Sequence, residues 1–177
     1  MPPTPSPAAF PQWLSWRISP LPPPLHRPYC CSCRVAELAH SLSCSTALRS
    51  LNLGGNGISS SGISALAPAL RALTALTKLD IGRNALGPEG TAHLCEALPS
   101  LSHLRALDVC GNEIGGEEGV QSLAAALPSL RWLEELTLRG NEMGPGATAL
   151  APALSQLTTL RFIDLGDNQT GDEGGLA

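Results

Sequence analysis

Apolar residues recur along this chain in a frame that repeats every 27 to 29 residues. The frame reads L-x-x-L-x-L-x-x-N, with Ile or Val in place of Leu at some positions. Its five copies begin at Leu48, Leu76, Leu104, Leu133 and Leu160. The asparagines that close them are Asn56, Asn84, Asn112, Asn141 and Asn168. A fixed period of this length over five copies predicts an array of stacked structural repeats.

The periodicity changes within each copy of the frame. Alternation of apolar residues, as at Leu51 and Leu53, predicts a strand that buries every second side chain. Further along, Val120, Leu123 and Leu127 are three or four residues apart, which predicts one apolar face of a helix. Each repeat is therefore predicted to be a strand followed by a helix, which makes the fold α/β.

The frame resembles that of leucine-rich repeat proteins of the ribonuclease-inhibitor-like subtype, and the resemblance covers about residues 34–177. That subtype includes the repeat domains of NOD-like receptors, the Ran GTPase-activating protein and tropomodulin. The resemblance implies a curved solenoid of about five repeats, with a parallel sheet on the concave face and helices on the convex face. It also implies a protein-interaction module, and a NOD-like-receptor-type regulatory segment is the preferred analogy.

The N-terminal segment has a different composition, since residues 1–28 contain ten of the sixteen prolines. Proline lacks the backbone N–H that helices and inner strands require. Residues 1–33 are therefore predicted to be a proline-rich disordered head, and residues 34–177 the leucine-rich repeat domain. Residues 34–46 are predicted to form a helix.

The repeat domain is predicted to be incomplete at both ends. The strand that should precede the first helix falls at Pro20, Pro23 and Leu25, where no strand is expected, and only nine residues follow Asn168. We therefore expect a fragment or alternative product of a longer repeat protein. Pro68 and Pro152 fall inside predicted helices, so bent or late-starting helices are expected there.

Side chains at positions 3 and 5 of the frame, counted from its first leucine, are predicted to point outward from the concave sheet. Position 5 is rich in carboxylates, which predicts an acidic stripe that binds a protein partner with a basic patch. A solvated polar face is the alternative interpretation. The predicted partner-binding residues are Asn52, Asp80, Asp108, Glu135, Thr137, Arg139, Phe162 and Asp164.

The repeated asparagines are predicted to be structural, because their amides can bond backbone groups that a tight turn leaves unpaired. Asn168 also begins a glycosylation sequon, for which the structural interpretation is preferred. Two further features stay open. Arg49, Arg105 and Arg161 share position 2 of the frame. They form either a basic row on the surface or separate solvated side chains. Trp132 is either an interaction hot spot or, as we prefer, partly packed.

Composition limits the classes of function. The net charge is −4, and residues 34–177 hold nine basic and fifteen acidic residues, which argues against nucleic-acid or anionic-membrane binding. No apolar run is long enough to span a bilayer. The N-terminus has no secretory signal pattern, so a cytoplasmic location with reduced cysteines is expected.

The sequence contains no recognisable catalytic or cofactor-binding motif, so the chain is predicted not to be an enzyme and to need no cofactor or metal. Cys30, Cys33, His40 and Cys44 are considered as four zinc ligands, and the Cys30–Cys31 pair as an acylation site. The preferred interpretation is that the cysteines of this segment are free thiols. Alternative functions are an enzyme-regulating solenoid, such as a GTPase activator, or a truncated product without independent function. Self-association through uncapped ends is a further expectation.

Overall fold

The computed structural model describes residues 15–17 and 31–170 of the chain. Six short strands form one parallel sheet, and their order in the sheet is their order along the chain. Equivalent frame positions lie opposite each other in the register, for example Leu51 opposite Leu79 and Leu107 opposite Leu136. Strands β1 to β6 are Ser15–Arg17, Ser50–Asn52, Lys78–Asp80, Ala106–Asp108, Glu135–Thr137 and Phe162–Asp164.

Helical segments follow strands β2 to β5, and α1 precedes β2. Helices α1 to α5 are Cys31–Ser43, Ser60–Ala72, Gly87–Ala97, Gly116–Ala126 and Ala151–Leu154. Short 3-10 helices are Leu98–Ser100, Leu127–Ser129 and Gly144–Leu150. Helices α1, α2, α3 and α4 pack against one another in sequence order. This architecture confirms the predicted α/β repeat solenoid.

The core lies between the sheet and the helices. The central residue of each inner strand is buried, and so are apolar helix residues such as Leu94 and Leu123. Burial of one such side chain stabilises the fold by about 1.5–3 kcal/mol. Frame positions 3 and 5 lie on the opposite side of the sheet, which we call the sheet face. It is the predicted concave face, and its side chains are partly or fully exposed.

The N-terminal segment differs from its prediction in two ways. Strand β1 lies within it and pairs in parallel with β2, with Trp16 opposite Leu51. Helix α1 begins at Cys31 and ends at Ser43, rather than spanning 34–46. The strand falls in the proline-free stretch between Pro11 and Pro20, and it is an edge strand, where missing donors are tolerated. The rest of the predicted disordered head lies outside the described residues.

The two prolines predicted to disturb helices have different effects. In the fourth repeat, residues Gly144–Leu150 form a 3-10 helix, and α5 starts only at Ala151, with Pro152 in its first turn. Proline is compatible with this place because the first-turn N–H groups have no helical partner. Helix α2, in contrast, continues across Pro68. The expected late start is therefore found in the fourth repeat and is wrong for the first.

Two glycines occupy crowded positions, one against the preceding helix and one against the turn before its own helix. A Cβ atom at Gly90 would lie 3.0 Å from the Cα of Ser60, on the preceding helix. A Cβ atom at Gly119 would lie 2.2 Å from the carbonyl oxygen of Ile114. Both glycines are buried in the first turn of a helix rather than in the turn before it. Among the described helices, none is both long and apolar enough to cross a membrane.

Candidate functional site on the sheet face

An open groove of about 270 Å³ runs across the sheet face over strands β2 to β5. Three carboxylates and one lysine are its charged groups, so the groove carries a net negative charge. Its floor consists of the edges of the strand leucines. The lining residues are Ser50, Leu51, Asn52, Lys78, Leu79, Asp80, Ala106, Leu107, Asp108, Glu135 and Thr137.

The groove brings together five of the eight residues predicted to bind a partner. They are Asn52, Asp80, Asp108, Glu135 and Thr137. The other three, Arg139, Phe162 and Asp164, lie towards the last strand and do not line it. Lys78 was absent from the predicted set, although it occupies position 3 of the frame beside Asp80 and its place could be read from the sequence. These assignments to binding stay predictions.

The acidic residues at position 5 also have a local structural role. One oxygen of each side chain accepts a hydrogen bond from the backbone N–H two residues later, at the point where the strand ends. The donor–acceptor distances are 3.0 Å from Gly82 to Asp80, 2.9 Å from Cys110 to Asp108 and 2.9 Å from Gly166 to Asp164. Asn52 makes the same bond to Gly54 at 2.9 Å. This turn-closing geometry is typical of Asp and Asn.

The remaining charge is distributed unevenly along the sheet. Asp80 accepts a second bond from the Asn52 amide at 2.7 Å, and Glu135 is exposed with no bonded partner among the described residues. At the C-terminal end, Arg139 contacts Asp167 at 2.7 Å and Asp164 at 3.8 Å. The hydrogen bond that Arg139 donates to Asp167 is the main cause of the raised pKa of Arg139. On the sheet face, the carboxylates without a cation partner among the described residues are therefore those in the groove.

Cys110 lies at the rim of this site. Its sulfur covers Gly82, where a Cβ atom would be only 2.7 Å away, so a larger residue at Gly82 would have to displace the thiol. Burial raises the pKa of the Cys110 thiol to about 11, and a hydrogen bond with Asp108 acts in the same direction. The thiol therefore stays neutral at physiological pH, and it is a poor nucleophile there.

The repeated asparagines hold the turns behind the strands together. The Asn141 amide donates to the carbonyl oxygen of Leu138 in its own repeat at 2.7 Å, and to that of Val109 in the preceding repeat at 3.0 Å. Its side-chain oxygen accepts from the backbone N–H of Asn112 at 2.8 Å. Asn84 and Asn168 also bond carbonyl groups of both their own and the preceding repeat.

Two asparagines depart from this arrangement. Among the described residues, the side chain of Asn56 bonds only the carbonyls of Leu53 and Gly54 in its own repeat. The side-chain oxygen of Asn112 is buried and has no hydrogen-bond partner in the part of the chain that the structure describes. Asn168, the residue of the sequon, is 2% exposed and its amide nitrogen is bonded to Leu138. That nitrogen is thus not accessible to a glycosylating enzyme in the folded chain.

The cysteine cluster gives no sign of a metal centre where it can be described. Among the side chains that the structure describes, no group of three or more His, Cys, Asp or Glu could hold a metal ion. Cys31, Cys33 and His40 lie in helix α1, while Cys30 lies outside the described residues. Cys44 is an exposed free thiol. Cys95 is buried in α3, and burial raises the pKa of its thiol to about 12.

The repeats match a known family model, and the fold is similar to two solved structures. A family model for the leucine-rich repeat matches residues 44–67, 72–95, 100–124 and 156–177, more than half of the chain. The fold is similar to that of an internalin (inlF) from Listeria monocytogenes, at 25% identity and a TM-score of 0.51 over 71% of this chain. An internalin C2 (inlC2) from the same species gives 29% identity and a TM-score of 0.50 over 70%.

The chain spans only 30% and 44% of the lengths of these two internalins. No curated protein matched significantly.

Proposed function

Because the chain belongs to the leucine-rich repeat family, we propose that it is a protein-interaction module whose sheet face binds a protein partner with a basic patch. The observation that carries the proposal is the acidic groove over β2 to β5. Proteins of this family commonly mediate protein–protein interaction, and the extended inner surface of a solenoid is the usual place.

The charges in the groove favour a basic partner. Asp80, Asp108 and Glu135 line it together with only one cation, Lys78. No salt bridge to these three carboxylates is present among the described residues, in contrast to Asp164 and Asp167, which share Arg139. Neighbouring strands are about 4.8 Å apart, so the three carboxylates form a compact acidic surface. Lysine or arginine side chains of a partner would complement it.

The residues predicted outside the groove extend this surface. Phe162 is 53% exposed on the sheet face of β6, beside the ion pairs of Arg139. An exposed aromatic side chain at the end of an acidic groove suits an apolar anchor of the same partner. In this proposal Asn52 and Thr137 contribute hydrogen bonds, while Arg139 and Asp164 stabilise the end of the site.

A charge-removal experiment tests the proposal. We would titrate isotope-labelled protein with a peptide of about ten alternating Lys and Leu residues, and follow backbone amide shifts by nuclear magnetic resonance. The shifts are expected at β3, β4 and β5. The double variant Asp108→Asn with Glu135→Gln should weaken binding about tenfold, since two charges are lost. Asparagine keeps the turn-closing oxygen, as Asn52 shows in the first repeat.

The control is Glu96→Gln, which removes one charge on a helix remote from the groove, where Glu96 pairs with Arg71. It should change the affinity for the basic peptide by less than about twofold. The proposal is wrong if the basic peptide shifts no amides of the sheet face, or if the control weakens binding as much as the groove variant.

The absence of catalysis is also part of the proposal. The groove contains no histidine or cysteine, and its only hydroxyl groups are those of Ser50 and Thr137. The alternative role, activation of a GTPase or regulation of another enzyme, would require that the chain orient a partner's catalytic groups. A GTP turnover assay with a panel of small GTPases separates the two, because the interaction module alone would leave turnover unchanged.

The finer family assignment rests on the form of the repeats. Repeats of 27 to 29 residues, with α-helices of 11 to 13 residues in α1 to α4, support the ribonuclease-inhibitor-like subtype. The analogy with NOD-like receptors is proposed on this basis, and a cytoplasmic location is proposed as part of that analogy. Fluorescence microscopy of the tagged chain would test the location.

Self-association through the last strand is a further part of the proposal. Ile163 in β6 is 37% exposed, whereas its counterpart Leu136 in β5 is fully buried. β6 is the final strand of the described sheet. A second copy that covered it would bury this apolar side chain. Analytical ultracentrifugation of the original protein should detect dimers, and Ile163→Lys should abolish them. A monomer at all concentrations would contradict self-association through β6.

A further inference from the structure

The turns that lead from each helix into the next strand carry a second charged surface. We call the residues His103, Arg105, Arg131, Trp132 and Arg161 the turn edge. Glu134 is the one acidic residue among the turns 44–49, 73–77, 101–105, 130–134 and 157–161, which also hold Arg49. The turn edge is therefore basic, whereas the groove on the sheet face is acidic.

Backbone hydrogen bonds stack the turns of successive repeats directly on one another. The N–H of Arg105 donates to Thr77, that of Glu134 to Arg105, and that of Arg161 to Glu134, each at 2.8 Å. The hydroxyl of Thr159 also bonds the carbonyl of Arg131, at 3.1 Å. Adjacent turns are thus about 5 Å apart, and their side chains form one surface.

Trp132 is the most exposed large apolar side chain among the described residues, at 57%. The side chain is therefore more exposed than the partial packing predicted from the sequence. The leucines on either side of it, Leu130 and Leu133, are fully buried, and the Leu133 N–H bonds Leu130 at 3.1 Å. These buried leucines fix the position of the turn, and the indole of Trp132 points into solvent. The repeat itself does not require it, since the equivalent residues are Ala47, Ala75, His103 and Thr159.

The cations near Trp132 are available to a ligand. Arg105 forms an ion pair with Glu134, which uses the one carboxylate of these turns. Arg131 and Arg161 are exposed, and neither has a carboxylate within salt-bridge distance in the part of the chain that the structure describes. An aromatic anchor beside free guanidinium groups is the composition enriched at the centres of protein interfaces.

We propose that the turn edge binds an acidic segment of a protein partner, with Trp132 as the apolar anchor and Arg131 and Arg161 as the partners of its carboxylates. In an extended segment, every second side chain points to the same face, and these side chains are about 6.6 Å apart. They can therefore contact the turns of successive repeats. A nucleic acid is disfavoured, because the net charge is −4 and the neighbouring groove would repel a long polyanion. This surface is independent of the one proposed for the sheet face.

The test uses the isotope-labelled chain and a peptide of about ten alternating Glu and Leu residues. We expect amide shifts at residues 103–105, 131–134 and 159–161, together with the Trp132 indole signal, and none in the groove. Trp132→Ala should weaken binding at least about fivefold, and Arg131→Ala and Arg161→Ala about threefold each. Circular dichroism would establish that each variant is folded.

Arg71→Ala is the matched control, since it removes the same charge from an exposed helix position. It should leave the affinity within about 1.5-fold of the original. The proposal is overturned if this control weakens binding as much as Arg131→Ala, or if the acidic peptide leaves the turn-edge amides unshifted. Equal shifts with an oligothymidylate of the same charge would also overturn it, because they would indicate a general anion site.

Discussion

Leu136 and Ile163 occupy the same frame position in neighbouring strands, yet the first is fully buried and the second is 37% exposed. Strand β5 has a partner on both sides, whereas β6 is paired only with β5 in the described sheet. The same amino-acid pattern thus produces different energetics, depending on whether a neighbouring repeat covers it. In a solenoid, stability is a property of the interfaces between repeats as much as of each repeat.

The largest expected effect comes from truncation of the two equivalent core residues. Leu136→Ala should lower the free energy of unfolding by about 3–5 kcal/mol, because it leaves a cavity between two repeats. Ile163→Ala should cost only about 1 kcal/mol, since much of the side chain already meets solvent. Urea denaturation followed by far-UV circular dichroism measures both values. Equal losses would show that β6 is covered as completely as β5.

The asparagines sharpen the same comparison within the polar part of the repeat. Asn141→Ala should cost about 2–3 kcal/mol, because it leaves the buried Asn112 N–H without a partner and removes one of the two amide bonds that each of the carbonyls of Val109 and Leu138 accepts. Asn56→Ala should cost about 1 kcal/mol, since the Asn56 side chain bonds only its own repeat among the described residues. The same denaturation experiment tests this pair. A loss at Asn56 as large as that at Asn141 would contradict the role assigned to bonds between repeats.

These examples show which features of the fold the sequence can specify. The frame identifies strands β2 to β6 and the buried leucines, because burial of alternate residues depends on local spacing alone. The sequence does not predict strand β1, although the apolar residues Leu14, Trp16 and Ile18 alternate. The proline density of the segment argues against a strand, and the 28-residue period points to other residues. Its distance to the next strand is 35 residues, as the pairing of Trp16 with Leu51 shows.

The candidate site was only partly predictable. Position 5 identified Asp80 and Asp108 because sheet-face residues follow from the alternation of the strand. Nothing local indicates that Arg139 pairs with both Asp164 and Asp167, since Arg139 belongs to the repeat before theirs and stacking brings them together. The exposure of Trp132 likewise depends on its neighbours in other repeats. Charge position is readable from sequence, but charge pairing requires the structure.

Cys95 and Cys44 extend the comparison to pH. Burial raises the pKa of Cys95 from 9.0 to about 12, so the folded state favours the neutral thiol. Its contribution to stability is fully present below pH 9 and is lost as pH rises towards 12. At pH 10 we expect a loss of about 1.4 kcal/mol relative to pH 8. Cys95→Ala should remove this part of the pH dependence when both proteins are denatured in urea, and the part due to the raised pKa of Cys110 should remain. Cys44→Ala, at an exposed thiol, should leave the pH dependence of the original protein unchanged.

The smallest effect concerns backbone strain at one position of the turn. Arg83 and Asp167 share position 8 of the frame and have φ values of 55° and 56°, where the other repeats have glycine. Arg83→Gly should raise stability by about 0.5 kcal/mol, because relief of the left-handed conformation slightly exceeds the added freedom of the unfolded chain. Asp167→Gly should give no gain, since it also removes the ion pair with Arg139. Thermal melts in low and high salt separate the backbone strain from the ion pair with Arg139. Because salt weakens the ion pair, the melting temperatures of Arg83→Gly and Asp167→Gly, each relative to the original protein, should differ less in high salt. A destabilised Arg83→Gly variant would mean instead that this arginine, beside Cys110 and Asp108, contributes more through its charge than its strained backbone costs.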